Sequence, residues 1–595
     1  MAARRNTFAV DEDLETPFNI QHLKRAGVYI KRHTGKMLLA LALSIASAVL
    51  ALFIPKISQW VLDVAVPNGD YAYLWRLLGA FVGILALTTL CNAIRSRLTA
   101  KTAQGIIFDI REDLFAHLQK LPFSYYDSRP AGKILVRVVN YVNSVADILS
   151  NGILDMIMQL LTLVMVAVFM LATDGKLALV IIAGMPLFVL TIVLIKPRQR
   201  KAWQNQSNKN SNFNAYLAES IDGVKVSELF SRQEENEEVF QTLLQACRKA
   251  WMDAVGISNT VWLSSALMTQ LVTTFLYLVG VYWYGGGSIV SFGVLSAMGQ
   301  YVNRFWQPIT NLANIYNSFI NNIAYLERIF ETMDEPVLID DAADAGELPQ
   351  VRGEVDFSHV TFGYEPETPI LEDVSFHVSP GESVALVGAT GAGKTTIVSL
   401  LSRFYDVDAG QILLDGQYDV SRVTLRSLRG QVGVMMQDPF IFTGTIRDNI
   451  RYGKLDATQE EIERAAKAVC AHDFIMEMED GYGTRVSERG GRLSQGQKQL
   501  ISFARTLLSD PRILILDEAT SSIDTRTEKL LQKGIGVLMK GRTSFLVAHR
   551  LSTIRSCDRI FYVGNKGILE QGSHEELMAK KGLYYRLYMT QMGRS

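Results

Sequence analysis

Long runs of apolar residues alternate with charged stretches in the first half of the chain. A run of about twenty apolar residues is long enough to cross a bilayer as a helix. Six such runs predict membrane spans at 37–64, 73–95, 152–172, 177–196, 258–284 and 289–315. The stretch 254–303 contains no Asp, Glu, Lys or Arg, which favours membrane helices because a charge at mid-bilayer costs about 2.5–3.5 kcal/mol. Three glycines at 285–287 predict a tight hairpin between two spans; one deeply buried soluble hairpin is the alternative.

The loops between the predicted spans differ in charge between the two sides. The short loops 66–72, 173–176 and 285–288 contain one basic residue, Lys176. The other side carries many, namely Lys31, Arg32, Lys36, Arg95, Arg97, Lys101, Arg111, Lys196, Arg198, Arg200 and Lys201. Because basic loops stay in the cytoplasm, we expect both termini and two helical excursions, at about 96–151 and 197–257, on the cytoplasmic side.

Two further features of this half leave alternatives open. Residues 20–32 mix apolar and basic side chains, so they form either an interfacial helix on the membrane or a plain surface helix. Polar residues within the spans either line a pathway, as intramembrane polar groups often do, or hydrogen-bond between helices or lie beyond the bilayer. These residues are Lys56, Gln159, Gln270, Gln300 and Arg304.

Composition bounds the class of protein. The chain has 595 residues, too many for one domain, and its mean hydropathy of +0.14 is high for a soluble enzyme. A net charge of −1 argues against a broad nucleic-acid-binding surface, so we expect no nucleic-acid partner. We expect four parts: a tail and interfacial helix at 1–36, a six-span membrane domain at 37–335, an acidic linker at 336–352 and a domain at 353–595.

A glycine-rich loop marks the second half. Residues 388–395 read GATGAGKT and lie between the apolar run 384–387 and an apolar helix pattern. Strand, glycine loop and helix are the context of a phosphate-binding P-loop, whose backbone N–H groups and helix N-terminus favour an anion; a turn that binds nothing is the alternative. The predicted nucleotide contacts are Gly388, Thr390, Gly391, Gly393, Lys394, Thr395 and Thr396. Lys394 would reach the phosphates of ATP, and Thr395 would ligate Mg²⁺.

Two later strands end in groups suited to phosphoryl chemistry. The apolar run 513–516 ends in Asp517, which would hold the Mg²⁺ shell, and Glu518, which would orient the attacking water. The run 543–548 ends at His549, a candidate γ-phosphate sensor. Open parallel sheets deliver chemistry at the carboxyl ends of their strands. We therefore expect the strands before Lys394, Asp517 and His549 to lie together.

A second anion site is predicted at 493–497, which read LSQGQ. Ser494 and Gly496 open an apolar helix, and a helix N-terminus binds anions. Gln497 completes this predicted site. One P-loop and one extra anion-binding helix suggest two cassettes that close on shared ATP.

These motifs, in this order, resemble a bacterial ABC exporter half-transporter along nearly the whole chain. Tyr364 matches the aromatic A-loop, 388–395 the Walker A motif, 493–497 the signature and 513–518 the Walker B motif. Gln437 matches the Q-loop, which implies a role in catalysis and in the Mg²⁺ shell. Asp524 matches the D-loop, which implies a contact with the nucleotide, and His549 matches the switch histidine. Residues 488–490 match the X-loop. In the first half, 123–132 and 219–230 resemble the two coupling helices.

The resemblance implies fold and mechanism. It implies an all-α six-helix transmembrane domain with long cytoplasmic extensions, followed by an α/β P-loop ATPase domain with a helical subdomain. Two chains would surround one cavity in a bacterial cytoplasmic membrane, and the second coupling helix would cross to the partner's cassette. ATP would close the cassettes and turn the cavity outward, and hydrolysis would reset them, which is alternating access.

Two departures bear on the partner. The signature has Gln495 where glycine is usual, and the D-loop at 521–524 reads SSID where SALD is common. Both are similar to the half of heterodimeric exporters that retains the catalytic glutamate. We therefore expect a heterodimer rather than a homodimer.

The expected activity is ATP-driven export of amphipathic small molecules, drugs or peptides. A lipid flippase is the alternative within transport, and an ATP-gated channel or sensor is the alternative from another class. Intact Glu518 and His549 argue against the channel. The sequence alone does not identify the substrate.

Overall fold

The computed structural model describes residues 20–129, 131–284, 291–365, 367–487, 490–518, 525–548 and 551–591. The chain divides into two compact units. The first is Met1–Gln119 with Ala131–Glu335, and the second is Lys120–Pro130 with Pro336–Ser595.

The first unit is helical. Its helices are α1 (Ile20–Lys31), α2 (Thr34–Trp60), α3 (Tyr71–Leu118), α5 (Ala131–Val136), α6 (Val142–Asp147), α7 (Ile153–Thr173), α8 (Gly175–Ala183), α9 (Met185–Asp222), α10 (Val224–Leu229), α11 (Gln233–Tyr284) and α12 (Phe292–Met333). Helix α4 (Phe123–Asp127) lies between α3 and α5 in the chain but belongs to the second unit. Three π-helical turns, Val61–Ala65, Arg137–Tyr141 and Ile148–Gly152, join neighbouring helices. The long helices α3, α9 and α11 run through the predicted excursions, which are therefore helical.

Five helical stretches of the described chain are long and apolar enough to cross a membrane. They are Thr34–Ala65, Tyr71–Leu118, Ile134–Thr173, Gly175–Asp222 and Gln233–Tyr282. Helix α12 has the length for the sixth predicted span and carries polar residues at regular intervals; it is not among these five stretches of the described residues. The predicted glycine hairpin at 285–287 lies outside the described residues.

A proline in α2 is matched by an arginine on α12. Pro55 lies inside α2 and has no N–H, so the carbonyl of Ala51, four residues earlier, loses its helical partner. Arg304 of α12 donates to that carbonyl at 2.7 Å. Tyr301 of α12 donates to the carbonyl of Leu52, the residue after Ala51, at 2.9 Å. For Arg304, the structure thus favours interhelical hydrogen bonding.

The second unit contains one larger, mostly parallel sheet, one antiparallel sheet and helices. The strands are β1 (Val355–Phe362), β2 (Leu371–Val378), β3 (Ser383–Val387), β4 (Ala409–Leu414), β5 (Tyr418–Asp419), β6 (Val432–Met435), β7 (Gly444–Thr445), β8 (Arg485–Val486), β9 (Ile513–Glu518), β10 (Thr543–Ala548), β11 (Arg559–Gly564) and β12 (Gly567–Gly572). The helices are α4 (Phe123–Asp127), α13 (Lys394–Leu401), α14 (Leu425–Gln431), α15 (Ile446–Arg451), α16 (Gln459–Ala468), α17 (His472–Met476), α18 (Gln495–Ser509), α19 (Thr525–Met539), α20 (Leu551–Arg555), α21 (His574–Lys580) and α22 (Leu583–Gln591).

Two apolar cores cover the two faces of the larger sheet, whose strand order is β12-β11-β3-β10-β9-β6. Side chains alternate between the faces of a strand. In β3, Val384 and Leu386 join a core with α13 and the antiparallel sheet β2-β1-β4-β5. Ala385 and Val387 join the other core, which contains α18 and α16. Helices α13 and α18 therefore lie on opposite faces of the sheet.

The Pro55–Arg304 pair generates a testable expectation. Replacing Arg304 by Met leaves the Ala51 carbonyl without a donor, and hydrogen bonds to charged groups contribute about 1.5–3 kcal/mol. We expect Arg304→Met to lower the free energy of unfolding by that order in detergent, measured by chemical denaturation. In a Pro55→Ala background, where the helical N–H is restored, the same change should cost clearly less. Equal losses in both backgrounds would contradict this pairing.

Candidate ATP site

Four neighbouring parallel strands end at one edge of the sheet. Strand β9 pairs in parallel with β6 and with β10, and β10 pairs in parallel with β3. Because carboxyl ends of parallel strands meet at one edge, this edge collects the segments after Val387, Met435, Glu518 and Ala548. The expectation that the strands before Lys394, Asp517 and His549 lie together is therefore confirmed.

The P-loop follows β3, whose residues are all buried. Gly388 has φ +146°, and a Cβ there would collide with the carbonyl oxygen of Val563 on β11. Gly391 and Gly393 have φ values of +80° and +100°, which glycine adopts without steric cost. Helix α13 then begins at Lys394. The loop thus passes close to a neighbouring strand and turns directly into a helix N-terminus.

Lys394 folds back over its own loop. Its side-chain Nζ donates to the carbonyls of Gly388 and Ala389 at 2.9 and 2.8 Å. Burial lowers the pKa of this ammonium group, while the nearby Asp517 acts in the opposite direction. A buried lysine gains from an approaching anion, because the negative charge offsets the hydration that the ammonium group has lost.

Polar groups of the first turn of α13 differ in exposure. Thr390, Gly391 and Thr395 are exposed at the loop, whereas Thr396 is buried and its hydroxyl lies 3.3 Å from the Tyr364 hydroxyl. The Tyr364 ring is half exposed and packs edge-on against Tyr405 with centroids 5.1 Å apart. This leaves an aromatic face beside the P-loop that can stack on a nucleobase.

The remaining predicted site residues at the strand ends differ in exposure, and some lie outside the described residues. Gln437 lies two residues beyond β6 and is exposed, and Asp517 is half buried in β9 opposite Val547 of β10. Glu518 ends β9, with its backbone paired to Ala548; its side chain lies outside the described part. His549, Asp524 and the X-loop residues Glu488 and Arg489 are also outside the described residues.

The signature segment forms a capped helix start. Ser494 precedes α18, and its hydroxyl accepts from the N–H of Gln497 at 3.2 Å while the Gln497 side chain accepts from the N–H of Ser494 at 2.9 Å. This reciprocal capping box fixes the first turn. Gly496 is buried within it. A helix N-terminus carries a partial positive charge, which favours an anion.

Sequence reasoning missed a contact of the unusual signature residue. Gln495 donates through its side-chain amide to Asp438 at 2.9 Å. Asp438 follows Gln437 directly, so the signature and the Q-loop segment are joined within one chain. The departure from glycine at position 495 is the only sequence signal for this contact, and it does not name the partner.

The segment 120–130 also belongs to this unit. Phe123 of α4 stacks on Phe404 with ring centroids 5.5 Å apart, and the guanidinium of Arg429 lies 5.6 Å from the Phe404 centroid. Residues predicted from the resemblance to be the first coupling helix thus pack within the ATPase unit.

The residues present suit a magnesium-bound triphosphate. The loop offers backbone N–H groups, a buried ammonium and a helix N-terminus, which together favour phosphate. Thr395 and Asp517 offer the oxygen ligands that Mg²⁺ prefers. The site therefore has the chemistry of an ATP site.

Comparisons with known proteins agree with this assignment. Residues 37–309 match the family model "ABC transporter transmembrane region", and residues 371–521 match the model "ABC transporter". The chain is 38% identical to the ABC transporter ATP-binding protein YknV of Bacillus subtilis (strain 168), over 98% of this chain and 97% of that protein. It is also 38% identical to the fatty acid ABC transporter ATP-binding/permease protein of Mycobacterium bovis, over 87% of this chain and 82% of that one.

A solved structure shares the fold. The structure of a bacterial Atm1-family ABC exporter with ATP bound has a TM-score of 0.77 and 29% identity, and the match covers 94% of this chain and 98% of that one. A helical transmembrane domain precedes an α/β ATPase domain, as the sequence predicted. The chain belongs to the ABC transporter family: it is an integral membrane protein of the exporter type that binds ATP and couples its hydrolysis to transport.

Proposed function

We propose that two such chains export amphipathic compounds by alternating access, with ATP held between their ATPase domains. The observation that carries the proposal is the position of α13 and α18 on opposite faces of one sheet. The P-loop of a chain and its own signature helix therefore approach a triphosphate from different sides of the domain. A second chain supplies the signature helix that completes each site.

Within a site, the residues take the roles that the sequence predicted. Lys394 and the backbone of 388–393 hold the phosphates, and Tyr364 stacks on the base. Ser494, Gly496 and Gln497 of the partner chain face the γ-phosphate, and Asp524 lies at the same interface. Glu518 orients the water, His549 senses the γ-phosphate, and Gln437 takes part in catalysis. Thr395, Asp517 and Gln437 would hold Mg²⁺, which would neutralise charge on the phosphates.

Exposed apolar surface supports contact between the chains. The segment 221–230 around α10 exposes several large apolar side chains, with Leu229 81% and Phe230 72% exposed. In the ATPase unit, Phe442 stacks on Tyr452 at 4.7 Å, and both are exposed. Large exposed apolar patches mark interaction sites. We propose that residues 221–230 of one chain pack on the Phe442 and Tyr452 rings of the partner chain.

The substrate is an amphiphile in this proposal. The chain resembles a fatty acid transporter over most of its length, which supports a substrate with an acyl chain; lipid flipping remains the second candidate for the same reason. The membrane is the bacterial cytoplasmic membrane, with the ATPase domain in the cytoplasm, as the basic loops predict.

Lys394→Ala tests the phosphate role. Charge-assisted hydrogen bonds contribute about 1.5–3 kcal/mol, so ATP affinity should fall by roughly ten- to a hundred-fold, measured by fluorescent-nucleotide titration. The exposed Lys533 on α19 gives a matched control, and Lys533→Ala should bind as the wild type does. Unchanged affinity in Lys394→Ala contradicts the role.

Glu518→Gln tests the hydrolytic step. The amide cannot take up the proton of the attacking water, so turnover should fall by about 10²–10³-fold, the range for groups that act in the transition state. ATP binding should persist, and nucleotide should hold the chains in a closed dimer visible by electron microscopy. The exposed Glu575 of α21 serves as control through Glu575→Gln. Undiminished turnover at the site that carries the Glu518→Gln change would rule out the assignment.

A heterodimer is favoured because of Gln495 and the 521–524 sequence. We expect this chain expressed alone to give little transport-coupled ATPase activity, and co-expression with the chain encoded beside it to restore a stable two-chain complex. Light scattering after size-exclusion chromatography and ATPase assays in liposomes measure this. Stable dimers of this chain alone with full, transport-coupled activity contradict the heterodimer.

A further inference from the structure

Helix α12 carries a row of amide side chains along one face. Asn303, Gln307, Asn311 and Asn314 recur every three or four residues, which places them on one side of a helix. Asn303, Gln307 and Asn314 are exposed. The buried residues of α12 lie on other sides and include Tyr301, Phe305 and Trp306, which join the apolar core of the membrane unit.

This row does not suit contact with lipid tails. An amide in hydrocarbon loses its hydrogen bonds to water, which is costly without a partner, and polar side chains of spanning helices face cavities or other helices. In a transporter, as proposed above, such a row would line a water-filled pathway.

At the end of the row, Asn314 meets a cation. The Lys196 side-chain Nζ on α9 donates to the Asn314 side-chain oxygen at 2.8 Å. Within the described part of the chain, Lys196 has no ion pair with a carboxylate. Two of its three ammonium N–H groups remain for a ligand. The Asn314 amide offers N–H groups beside it, because its oxygen already accepts from the lysine.

Other charges of the predicted spans are engaged differently. Arg304 donates to the Ala51 carbonyl. The Asp63 carboxylate accepts from the Ser291 hydroxyl and from the Gly293 N–H at 2.8 Å, and Asp155 lies 3.6 Å from Arg95. The pair Lys196–Asn314 is thus a cation and an amide that two helices hold together.

Its depth matches a lipid-like head group. From Lys176, through α8 and α9, to Lys196 the helical path is roughly 30 Å at 1.5 Å per residue, which is the thickness of the hydrocarbon core. In the predicted orientation, Lys196 therefore lies at the cytoplasmic edge of the bilayer. Head groups of amphiphiles in the inner leaflet lie at this level.

We propose that Lys196 and Asn314 bind the anionic head group, a carboxylate or phosphate, of an amphiphile that enters from the cytoplasmic leaflet. This rests on the proposed transport function and narrows its substrate class. The ammonium supplies charge, and the Asn314 amide supplies a second donor. Gln307 and Asn303 continue the polar face along the pathway. The acyl chain needs no recognition beyond apolar surface.

The test compares amphiphiles with the same chain and different heads. The purified transporter, with its partner chain where required, is placed in phosphatidylcholine liposomes, and export and ATPase stimulation are measured with oleate and with oleyl alcohol. In Lys196→Ala, the half-stimulating concentration of oleate should rise roughly ten-fold or more, as expected for a lost charge-assisted hydrogen bond. That of oleyl alcohol should not change, and Lys196→Arg should restore much of the oleate response.

Two further variants sharpen the result. Asn314→Asp places a carboxylate beside the Lys196 ammonium group and keeps both side chains in place. It should raise the half-stimulating concentration of oleate as Lys196→Ala does. Lys201→Ala removes an exposed cation of the same helix and should leave the oleate response unchanged. An equal shift for Lys201→Ala would show a diffuse surface potential and overturn the proposal.

The remaining arms identify the source of the anion. If a phospholipid head group binds, phosphatidylglycerol in the vesicles should stimulate ATPase activity, and this stimulation should require Lys196. If only a carboxylate binds, oleate should stimulate ATPase activity in this way and phosphatidylglycerol should not. Either result supports the proposal. Stimulation by inorganic phosphate alone overturns the need for an amphiphile. If the wild type exports oleyl alcohol but Lys196→Ala alters neither amphiphile, this inference fails alone. If the wild type exports neither amphiphile while hydrolysing ATP, the transport function fails.

Discussion

The structure depends on one constraint: the two helix N-termini that attract phosphate lie on opposite faces of the same sheet. Helix α13 shares a core with the antiparallel sheet, and α18 shares the other core with α15 and α16. Covering both faces buries the parallel strands at the centre of the sheet, as such strands require. The same layering keeps the P-loop and the signature apart within a chain. In the proposed assembly, a nucleotide that contacts both helix N-termini joins two chains, and its γ-phosphate would control whether they are joined.

The membrane unit meets a different constraint, since unpaired polar groups in hydrocarbon are costly. Pro55 removes one helical hydrogen bond from α2, and Arg304 supplies a replacement from another helix. Asp63 just beyond the end of α2 similarly caps the start of α12 through the Gly293 N–H. The two contacts hold α2 and the π-helical turn that follows it against α12. The exposed amides of α12, Asn303, Gln307 and Asn314, take no part in these two contacts.

Sequence predicted the local parts well because their signals are local. The P-loop glycines, the strand before them and the start of α13 at Lys394 follow from a short run of consecutive residues, and the long helices follow from apolar length. The contacts of Arg304 with Ala51 and of Gln495 with Asp438 span 253 and 57 residues. No periodicity encodes them; they arise only when packing brings two helices or two loops together. For that reason the sequence left the role of Arg304 open. The roles predicted for the site residues stay proposals, and Asp524 and His549 lie outside the described residues.

The Gln495–Asp438 contact bears on why the two ATP sites of an assembly would differ. A glycine at the first position of α18 leaves the helix N-terminus bare, so its partial positive charge meets an anion without competition. Gln495 instead holds the Asp438 carboxylate at 2.9 Å from its side-chain amide. A carboxylate beside a helix N-terminus occupies part of the same field and repels a second anion. A signature of this form should therefore hold a γ-phosphate less firmly than a glycine signature would. In the proposed assembly, each signature faces the P-loop of the partner chain. The weakened site would then be the one built on the partner's P-loop, while the P-loop and Glu518 of this chain would work against a different signature. Two copies of this chain would carry the weakened contact at both sites, whereas a different partner chain would supply one unweakened signature, and this is the physical argument for the proposed heterodimer.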